Sequence, residues 1–450
     1  MDTTRLESIM VDQIASLLRN DEPVIARSQA LQPNLKHKEI TIITGVRRCG
    51  KSSLVKALIR ELPNPNGIIY LNFDDPRLNN FKAEEFETLY EIWLRKEPTV
   101  ATKIAIFDEI QNIAGWERWM NFFTDQKMFK VFITGSNSKL LSSEFATHLT
   151  GRHEDIVLYP LSFKEVLQND DVGLAKKASD LSQVLTLEET GALTRCFAKY
   201  FEIGGFPRVW LSRDKSLLGE YYNDILYRDI VRRHKLRHVA LIAGFGASVM
   251  SDLGRKLNKV RLASAIGVKE AKTISAYFGY FAECYLGAEI RRFDVSVRKQ
   301  LRSLAKFYAI DPVLAQRIGI HSESKDGFYL ETFVFIELSR RHRGQVFYWD
   351  VRQSSITKKG STKKLKPSEV DFVVKTNTGY RLVQVAWSIA NKETLVRELT
   401  GFEQFCAAFP ELKIISKTII TVEETIGLTL SHDVQAVSFL RWALAEDSLT

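Results

Sequence analysis

The chain has 450 residues, of which 45% are hydrophobic and 26% are charged, and its formal net charge is +9. This length predicts two to four domains, and the composition is typical of a soluble globular protein and excludes a fibre or a disordered chain. The excess of positive charge is compatible with a nucleic-acid partner but does not by itself require one.

The first residues and the cysteines indicate the compartment. The opening stretch MDTTRLESIMVDQIASLLRN carries acidic residues and lacks the basic and apolar regions of a signal peptide. Charges interrupt the apolar runs before they reach the length of a membrane span. The four cysteines are scattered without metal-binding spacing, so we predict reduced thiols rather than disulfides or a zinc site. The sequence therefore predicts a cytoplasmic protein with no membrane partner.

The first predicted domain spans residues 1–160, and from about residue 38 onward its apolar runs alternate with helical ones. Four runs are apolar and β-branched enough to be central strands of a parallel sheet: EITIITG, GIIYLNFDD, TKIAIFDE and KVFITGSN. Segments between them, such as SSLVKALIREL, have helical spacing. Strands alternating with helices predict a doubly wound α/β domain.

The first loop of this domain has the pattern of a phosphate-binding loop. GVRRCGKS, Gly45 to Ser52, matches G-x-x-x-x-G-K-[ST] in full, between a predicted strand and a predicted helix. The glycines let successive backbone N–H groups turn inward and hold phosphate oxygens. We predict that Lys51 reaches the β- and γ-phosphates and that Ser52 ligates Mg²⁺. The predicted cofactor-binding residues are Gly45, Val46, Arg47, Arg48, Cys49, Gly50, Lys51, Ser52 and Ser53.

Two carboxylates, Asp108 and Glu109, end the predicted strand IAIFDE. We predict that Asp108 holds Mg²⁺ and that Glu109 is the general base that orients and deprotonates the attacking water. A helix cap would explain the same acids without catalysis. Their combination with the phosphate loop favours ATP hydrolysis.

Polar residues also follow the strand in VFITGSNS. Ser136 and Asn137 are candidates to sense the γ-phosphate or the attacking water, although a simple polar turn explains the same letters. Arg152, on a segment that leads away from the sheet, is predicted to enter the site of a neighbouring subunit in a ring, with a surface salt bridge as the alternative. The predicted catalytic residues are Lys51, Glu109, Asn137 and Arg152.

Three further regions follow in the chain. Residues 161–250 have helical patterns, broken by GGFP at Gly204 to Pro207, and are predicted as a helical lid. Residues 251–305 predict a helix, a turn at Gly267, a second helix and a β-rich ribbon, the order of a winged helix-turn-helix. Residues 306–450 predict a second α/β unit with a mixed sheet.

Together these motifs resemble an archaeal and bacterial family of AAA+ ATPases. In the first half the resemblance is carried by GVRRCGKSSL, YLNFDD, IFDEIQN, ITGSNSKLLSSE, LTGRHEDIVLYPLSFKE and GGFPRV. In the second half it is carried by KFYAIDPVLA, LETFVFIELSRR, FYWD and SEVDFVV, so it spans nearly the whole chain. The resemblance implies Mg-ATP binding and hydrolysis, a winged helix between two modules, and a C-terminal domain with a restriction-endonuclease-like fold.

Such a nuclease site needs an acid on one strand and E-x-K about a dozen residues later. Asp371 supplies the first acid, but Gln384 and Ala386 stand where the glutamate and the lysine belong. An amide is a poor metal ligand and alanine carries no charge. We therefore predict a degenerate PD-(D/E)xK-like domain that binds DNA or assists self-assembly without nuclease activity. Glu331 and Glu337, on the preceding predicted helix, remain as partners for Asp371.

DNA contact is predicted for the winged helix, whose polar and basic residues can reach phosphates and base edges. These candidate residues are Lys269, Lys272, Thr273, Arg291 and Arg292. The same residues would also suit a solvated face or a module that binds another protein.

The sequence thus predicts an α/β P-loop AAA+ protein that hydrolyses Mg-ATP and forms a homo-oligomer, such as a hexameric ring. The predicted activity is coupled to DNA binding or remodelling, in repair, recombination or defence. The alternative is a nucleotide-controlled switch that acts on a protein partner, because no pore-loop residues are recognisable between the two ATPase motifs.

Overall fold

The computed structural model describes most of the chain. The described residues are 2–19, 23–37, 39–62, 67–95, 103–126, 128–138, 153–320, 326–351, 355–358, 361–364, 367–423, 428–431 and 433–445. They form two units: residues 1–160 with 283–285, and residues 161–282 with 286–450. The first unit contains a five-stranded sheet, the second contains several sheets, and each unit has an apolar core of its own.

The first unit is an α/β domain. Its elements are α1 (Thr3–Arg19), β1 (Ile40–Thr44), α2 (Lys51–Glu61), β2 (Ile68–Asn72), α3 (Glu85–Arg95), β3 (Ile104–Asp108), α4 (Trp116–Asp125), β4 (Lys130–Gly135) and β5 (His153–Val157). The five strands are parallel and lie in the order β2-β3-β4-β1-β5. The predicted parallel α/β sheet is confirmed. Strand β5 was not predicted, because its residues HEDIV are mostly polar and half-buried at the sheet edge.

This strand order brings the predicted motifs to one edge. Strand β4 lies between β1 and β3, with Ile42 opposite Ile133 and Ile106 opposite Phe132. Because parallel strands end at the same edge of a sheet, the loops after β1, β3 and β4 are neighbours. Those loops carry the phosphate-loop pattern, the two acids and the polar pair.

The core of the first unit is rich in aromatic rings. Phe86 of α3 packs edge-on against Phe107 of β3, with ring centroids 5.2 Å apart, and against Phe123 of α4 at 6.4 Å. Such pairs contribute about 0.5–1.5 kcal/mol beyond burial. At the edge strand β2, the side-chain amide of Gln13 in α1 donates to the backbone carbonyl of Asn72 and accepts from its N–H. Helix α1 therefore satisfies backbone groups of an edge strand.

The second unit begins with helices, as predicted for residues 161–250. They are α5 (Phe163–Asp170), α6 (Val172–Ser179), α7 (Leu187–Ile203), α8 (Pro207–Ser212), α9 (Ser216–Asp224), a π-helical segment (Ile225–Val231) and α10 (Val239–Ser251). Helix α7 ends at Gly204, which has a φ of +81°. The Asp311 carboxylate accepts the Gly205 N–H at 2.7 Å, and a Cβ at Gly204 would lie 2.7 Å from that carboxylate. A residue distant in sequence thus fixes the GGFP turn.

A three-stranded antiparallel sheet follows. The elements are β6 (Lys256–Leu257), α11 (Lys259–Ala265), α12 (Ala271–Glu283), β7 (Gly287–Arg291), α13 (Val297–Arg302) and β8 (Ala305–Ala309), with strand order β6-β8-β7. Gly267, between α11 and α12, has a φ of +77°. The domain boundary predicted between residues 305 and 306 falls inside β8. This strand hydrogen-bonds to β6 and β7 and therefore belongs to the three-stranded sheet.

The rest of the second unit contains a mixed sheet. Its elements are α14 (Pro312–Ile318), α15 (Asp326–Arg341), β9 (Val346–Val351), β10 (Ser355–Lys358), β11 (Ser361–Lys364), β12 (Ser368–Lys375), β13 (Tyr380–Val385), α16 (Lys392–Ala408), β14 (Ile414–Thr421), β15 (Leu428–Ser431), β16 (Val434–Ser438) and α17 (Phe439–Trp442). Six strands lie in the order β15-β16-β14-β13-β12-β9, and β10 and β11 form a separate hairpin. Trp349 and Phe405 pack edge-on in its core, with ring centroids 5.3 Å apart. Among the described residues, no helix has the length and apolar character needed to cross a membrane.

Candidate nucleotide-binding site

The loop between β1 and α2 has a backbone that only glycine permits at two positions. Gly45 has a φ of +149°, and a Cβ there would lie 2.1 Å from the carbonyl oxygen of Leu158. Gly50, immediately before α2, has a φ of +102°. Helix α2 begins at Lys51, so its N-terminal N–H groups and their partial positive charge face this loop. The geometry suits an anion such as a phosphate.

The Lys51 side chain is buried inside the loop. Its Nζ donates to the carbonyl oxygens of Gly45, at 3.0 Å, and Val46, at 3.2 Å. The same Nζ lies 3.9 Å from Oε1 of Glu109. The ammonium is therefore between the phosphate loop and the predicted general base.

Asp108 and Ser52 meet at the end of β3. The Ser52 hydroxyl donates to Oδ2 of Asp108 at 2.7 Å, and the Tyr70 hydroxyl donates to the same oxygen at 3.2 Å. The Thr134 hydroxyl donates to Oδ1. Burial and the neighbouring charge of Glu109 raise the pKa of Asp108. A hydroxyl and a carboxylate oxygen side by side are ligands of the kind that Mg²⁺ prefers, so these residues fit the predicted metal.

Glu109 has the opposite electrostatic environment. Burial raises its pKa, but the Lys51 ammonium, a hydrogen bond from Gln111 and the charge of Arg47 outweigh burial and hold the pKa of this carboxyl below its usual range. The Ser136 hydroxyl donates to Oε2 at 3.1 Å. Glu109 also has a left-handed backbone, with a φ of +55°. A carboxylate held ionised in this way can accept a proton from water.

The remaining predicted site residues differ in how far they are buried. Asn137 is buried, at 5% exposure, in the loop after β4. Within the phosphate loop Val46 and Cys49 are fully buried, and burial raises the pKa of the Cys49 thiol, so these residues offer backbone groups rather than reactive side chains. Arg48 is exposed, as is Ser53 at the start of α2. The predicted catalytic residue Arg152 lies outside the described residues.

Two contacts of Asp108 were missed from the sequence. Thr134 is the last residue but one of β4, and Tyr70 lies two residues before the end of β2. Both are polar groups near the carboxyl ends of predicted strands, which is a signal that sequence reasoning can use. Their side-chain directions depended on the strand order, which the sequence did not supply.

A cleft of about 1050 Å³ lies in the second unit. Its wall includes Glu331 of α15, Glu369 and Asp371 of β12, and Lys306 of β8. The Lys306 ammonium donates to Oε1 of Glu331 at 3.1 Å and to Oε1 of Glu369 at 2.5 Å. The structure therefore places two of the predicted acids, Asp371 and Glu331, in one cleft and adds Glu369 and a lysine. The lysine lies 65 positions before Asp371 in the sequence, a separation too large for motif spacing to reveal.

Gln384 has a structural role beside this cleft. Its Oε1 accepts the Asp371 N–H at 2.9 Å, and its Nε2 donates to the carbonyl oxygen of Glu369 at 2.7 Å. Glu337, the other predicted partner of Asp371, instead pairs with Arg341 at 3.1 Å. Within the described part of the chain, no three His, Cys, Asp or Glu side chains are grouped to hold a metal ion.

Asp371→Asn is expected to raise the melting temperature at neutral pH and to leave it nearly unchanged in acid. Burial and the charges of Glu331, Glu398 and Glu369 raise the pKa of Asp371 well above its usual range, although Lys306 opposes them. A carboxyl whose pKa is raised by folding stabilises the fold in acid and loses that contribution as the pH rises through the folded-state pKa. Melting curves of both proteins between about pH 4 and pH 8 measure this. An equal shift at every pH would contradict the electrostatic explanation.

The predicted DNA-binding residues divide into two groups. Lys269, Lys272 and Arg291 are exposed, and Thr273 is half-buried. Arg292 is instead committed within the second unit: its Nε donates to Oδ1 of Asp350 at 2.7 Å, and its Nη2 donates to the Asp350 carbonyl oxygen at 2.8 Å. These contacts join the end of β7 to β9, and DNA contact by Arg292 stays a prediction.

Comparisons with known proteins agree with the α/β geometry of the first unit. Residues 37–167 match the family model of an AAA domain, and residues 194–324 match a domain of unknown function. An uncharacterized protein of Methanocaldococcus jannaschii is 30% identical over 426 residues, which cover 90% of this chain and 88% of that protein. An uncharacterized protein of Haemophilus influenzae is 28% identical over 387 residues, covering 81% of this chain and 88% of that protein.

Solved structures show more distant likeness. The Aeropyrum pernix ORC1 protein in complex with DNA is 13% identical, with a TM-score of 0.31, over 67% of this chain and 94% of that chain. A signal transduction ATPase with numerous domains from Pyrococcus horikoshii is 14% identical, with a TM-score of 0.26, over 73% of this chain and 47% of that chain. Likeness at these scores assigns no activity to this chain.

Proposed function

This chain belongs to one family with the Methanocaldococcus jannaschii relative and carries an AAA domain in residues 37–167, and from that premise we propose that it binds Mg-ATP and hydrolyses it. The observation that carries the proposal is the arrangement around two acids. The Ser52 hydroxyl lies 2.7 Å from the Asp108 carboxylate, and Lys51 lies 3.9 Å from Glu109. The Lys51 cation, the proposed metal ligands Ser52 and Asp108, and the proposed base Glu109 therefore lie beside the same loop.

Each residue has a distinct part in this mechanism. The loop N–H groups and Lys51 hold the β- and γ-phosphates. Ser52 and Asp108 hold Mg²⁺, which when bound neutralises charge that develops on the phosphate oxygens. Glu109 orients a water molecule toward the γ-phosphate and takes its proton, while Ser136 fixes the orientation of Glu109. Asn137, in the loop after β4, would hydrogen-bond the γ-phosphate.

We further propose that ATP hydrolysis is coupled to DNA. The support is the net charge of +9 and the exposed cations Lys269, Lys272 and Arg291 on and beside α12 and β7. A winged helix built from the three-stranded sheet and α11 and α12 would present these cations. A ring-shaped homo-oligomer completed by Arg152, a nuclease-like domain without nuclease activity, and a cytoplasmic location remain parts of this proposal.

The proposal is tested by ATP turnover of the purified chain with and without single-stranded, duplex and branched DNA. We expect Mg²⁺-dependent turnover that rises several-fold with one DNA form, since DNA-coupled ATPases hydrolyse faster when engaged. Lys51→Ala should abolish turnover in every condition, because the γ-phosphate loses its cation. Lys272→Glu should remove the stimulation and keep the turnover measured without DNA.

Two results would change the assignment. Turnover that survives Lys51→Ala would mean that the phosphate loop is not the site of hydrolysis. Slow turnover that requires Lys51 but has the same rate with and without each DNA form would favour the alternative, a nucleotide-controlled switch that acts on a protein partner.

A further inference from the structure

The phosphate loop contains a second, largely buried cation besides Lys51, the guanidinium of Arg47. The Arg47 side chain is only 12% exposed, and it pairs with Asp74, which lies just beyond the end of β2. Its Nη1 and Nη2 donate to the same carboxylate oxygen, Oδ2, at 3.2 and 3.3 Å. The pair joins the loop after β1 to the loop after β2, although β3 and β4 lie between these strands in the sheet.

The pairing of Arg47 with Asp74 has the geometry of an exchangeable contact. Charge-assisted hydrogen bonds from arginine are usually about 2.7–2.9 Å long, and the strongest place each N–H on its own oxygen. Here both distances are longer, and both donors share one oxygen. Asp74 is also 30% exposed, so solvent screens the pair.

Asp74 is held in place by other bonds. Its second oxygen, Oδ1, accepts from Nδ2 of Asn112 at 3.1 Å, and its N–H donates to Oδ1 of Asn72 at 2.8 Å. The carboxylate is therefore anchored independently of Arg47. If the pair separates, the arginine is the partner that moves.

The ion pair of Arg47 and Asp74 is linked to the backbone of the predicted general base. Asn112, whose Nδ2 donates to Asp74, also donates its N–H to the Glu109 carbonyl oxygen at 3.2 Å. Arg47 therefore pairs with a carboxylate that is one hydrogen-bonded residue away from Glu109. A γ-phosphate attacked by a water molecule that Glu109 orients would lie between Glu109 and the phosphate loop that carries Arg47.

We propose that Arg47 is a catalytic arginine supplied by the phosphate loop of the same chain, which leaves Asp74 for the γ-phosphate when ATP binds. This inference rests on the proposed ATPase function and deepens it. A γ-phosphate carries more negative charge than a carboxylate and offers an oxygen to each N–H donor of the guanidinium. ADP has no γ-phosphate, so Asp74 keeps the arginine when ADP is bound. The exchange makes the site distinguish ATP from ADP.

The test measures the binding of Mg-ADP and of a Mg-bound non-hydrolysable ATP analogue by calorimetry, together with ATP turnover. Arg47→Ala is expected to weaken the analogue at least about tenfold and to change ADP affinity less than about twofold. Its kcat should fall by about 10³-fold, the scale of a lost catalytic arginine. Arg47→Lys should be intermediate, because lysine keeps the charge but not the planar fork.

Asp74→Asn is expected to act in the opposite direction. The asparagine can still accept from Asn112, but it no longer competes for the guanidinium, so the analogue should bind several-fold tighter while ADP binding stays the same. Arg77→Ala is the matched control, because the exposed Arg77 forms a 2.8 Å ion pair with Asp75, the residue that follows Asp74. This variant should bind both nucleotides like the wild type.

Equal losses of ADP and analogue binding in both Arg47→Ala and Arg47→Lys would show that Arg47 only braces the loop and would overturn the inference. Weaker analogue binding in Asp74→Asn would overturn it as well, since the ion pair would then support binding. If the wild type binds neither nucleotide, the proposed ATPase function fails together with the inference. If turnover requires Lys51 but the Arg47 variants keep the wild-type preference between ATP and ADP, the inference alone fails.

Discussion

Replacing Glu109 with glutamine is expected to lower kcat for ATP by about 10²–10⁴-fold, the range of a lost general base. The amide keeps the size of the side chain and can still contact Ser136, but it cannot take a proton from water. Nucleotide binding should persist, because the loop and Lys51 hold the phosphates. Turnover assays combined with nucleotide-binding measurements separate the two effects, and the variant should retain bound ATP.

Glu91→Gln is the matched control for this variant. Glu91 lies on the exposed surface of α3 in the same unit, so the same change of charge occurs away from the site. We expect wild-type turnover from it. If Glu109→Gln hydrolysed ATP at the wild-type rate, another group would have to activate the water and the assignment of Glu109 would be wrong.

The second large effect is expected for Lys306→Met, which should destabilise the second unit by about 3–5 kcal/mol, the usual result of removing one partner from a buried ion pair. The Lys306 side chain is 4% exposed and bridges Glu331 and Glu369. Methionine has a similar length but removes the cation that pairs with Glu331, whereas Glu369 keeps its ion pair with Lys256 at 2.8 Å. Calorimetric melting of the full chain would show a lower transition temperature for the second unit.

The pH dependence of this effect follows from the pKa of Lys306. Burial lowers this pKa, but Glu331, Tyr308, Glu369 and Asp371 outweigh burial and raise it well above its usual range. A group whose pKa rises on folding stabilises the fold below its unfolded-state pKa and loses that contribution only as the pH rises through the folded-state value. The stabilisation by Lys306 should therefore be complete at neutral pH.

Two further variants check the explanation for Lys306. Lys375→Met, at the exposed end of β12, should leave the transition unchanged. Adding Glu331→Gln to Lys306→Met should recover part of the lost stability, because one uncompensated carboxylate is removed. No recovery in the double variant would mean that packing, rather than charge, is what Lys306 provides.

The parallel sheet of the first unit could be predicted because its strands are buried on both faces. Strands β1, β3 and β4 are buried at every position and consist mainly of apolar residues, a pattern that can be recognised from the sequence alone. The edge strand β5 lacked this signal. In the second unit β8 is also buried at every position, and the sequence predicted a strand there but not that β8 pairs with β6 and β7.

The arginines of the predicted site show the same limit. The sequence predicts a binding role for both Arg47, in the phosphate-loop pattern, and Arg292, in the predicted wing. Their partners, Asp74 and Asp350, lie 27 and 58 positions away in the sequence. Only these partners distinguish an arginine that joins two loops beside the predicted nucleotide site from one that joins two strands.

The sequence by itself determined the phosphate loop, the two acids after β3 and the alternation of strands and helices. These features depend on residues close together in the chain: glycines that permit φ values of +149° and +102°, and periodicities of apolar residues within single elements. The tertiary structure alone decided which side chains meet, including Lys306 with Glu331 and Tyr70 with Asp108. The physical reason is that strand order and register bring distant residues together, and many different pairings are compatible with the same local pattern of apolar and polar residues.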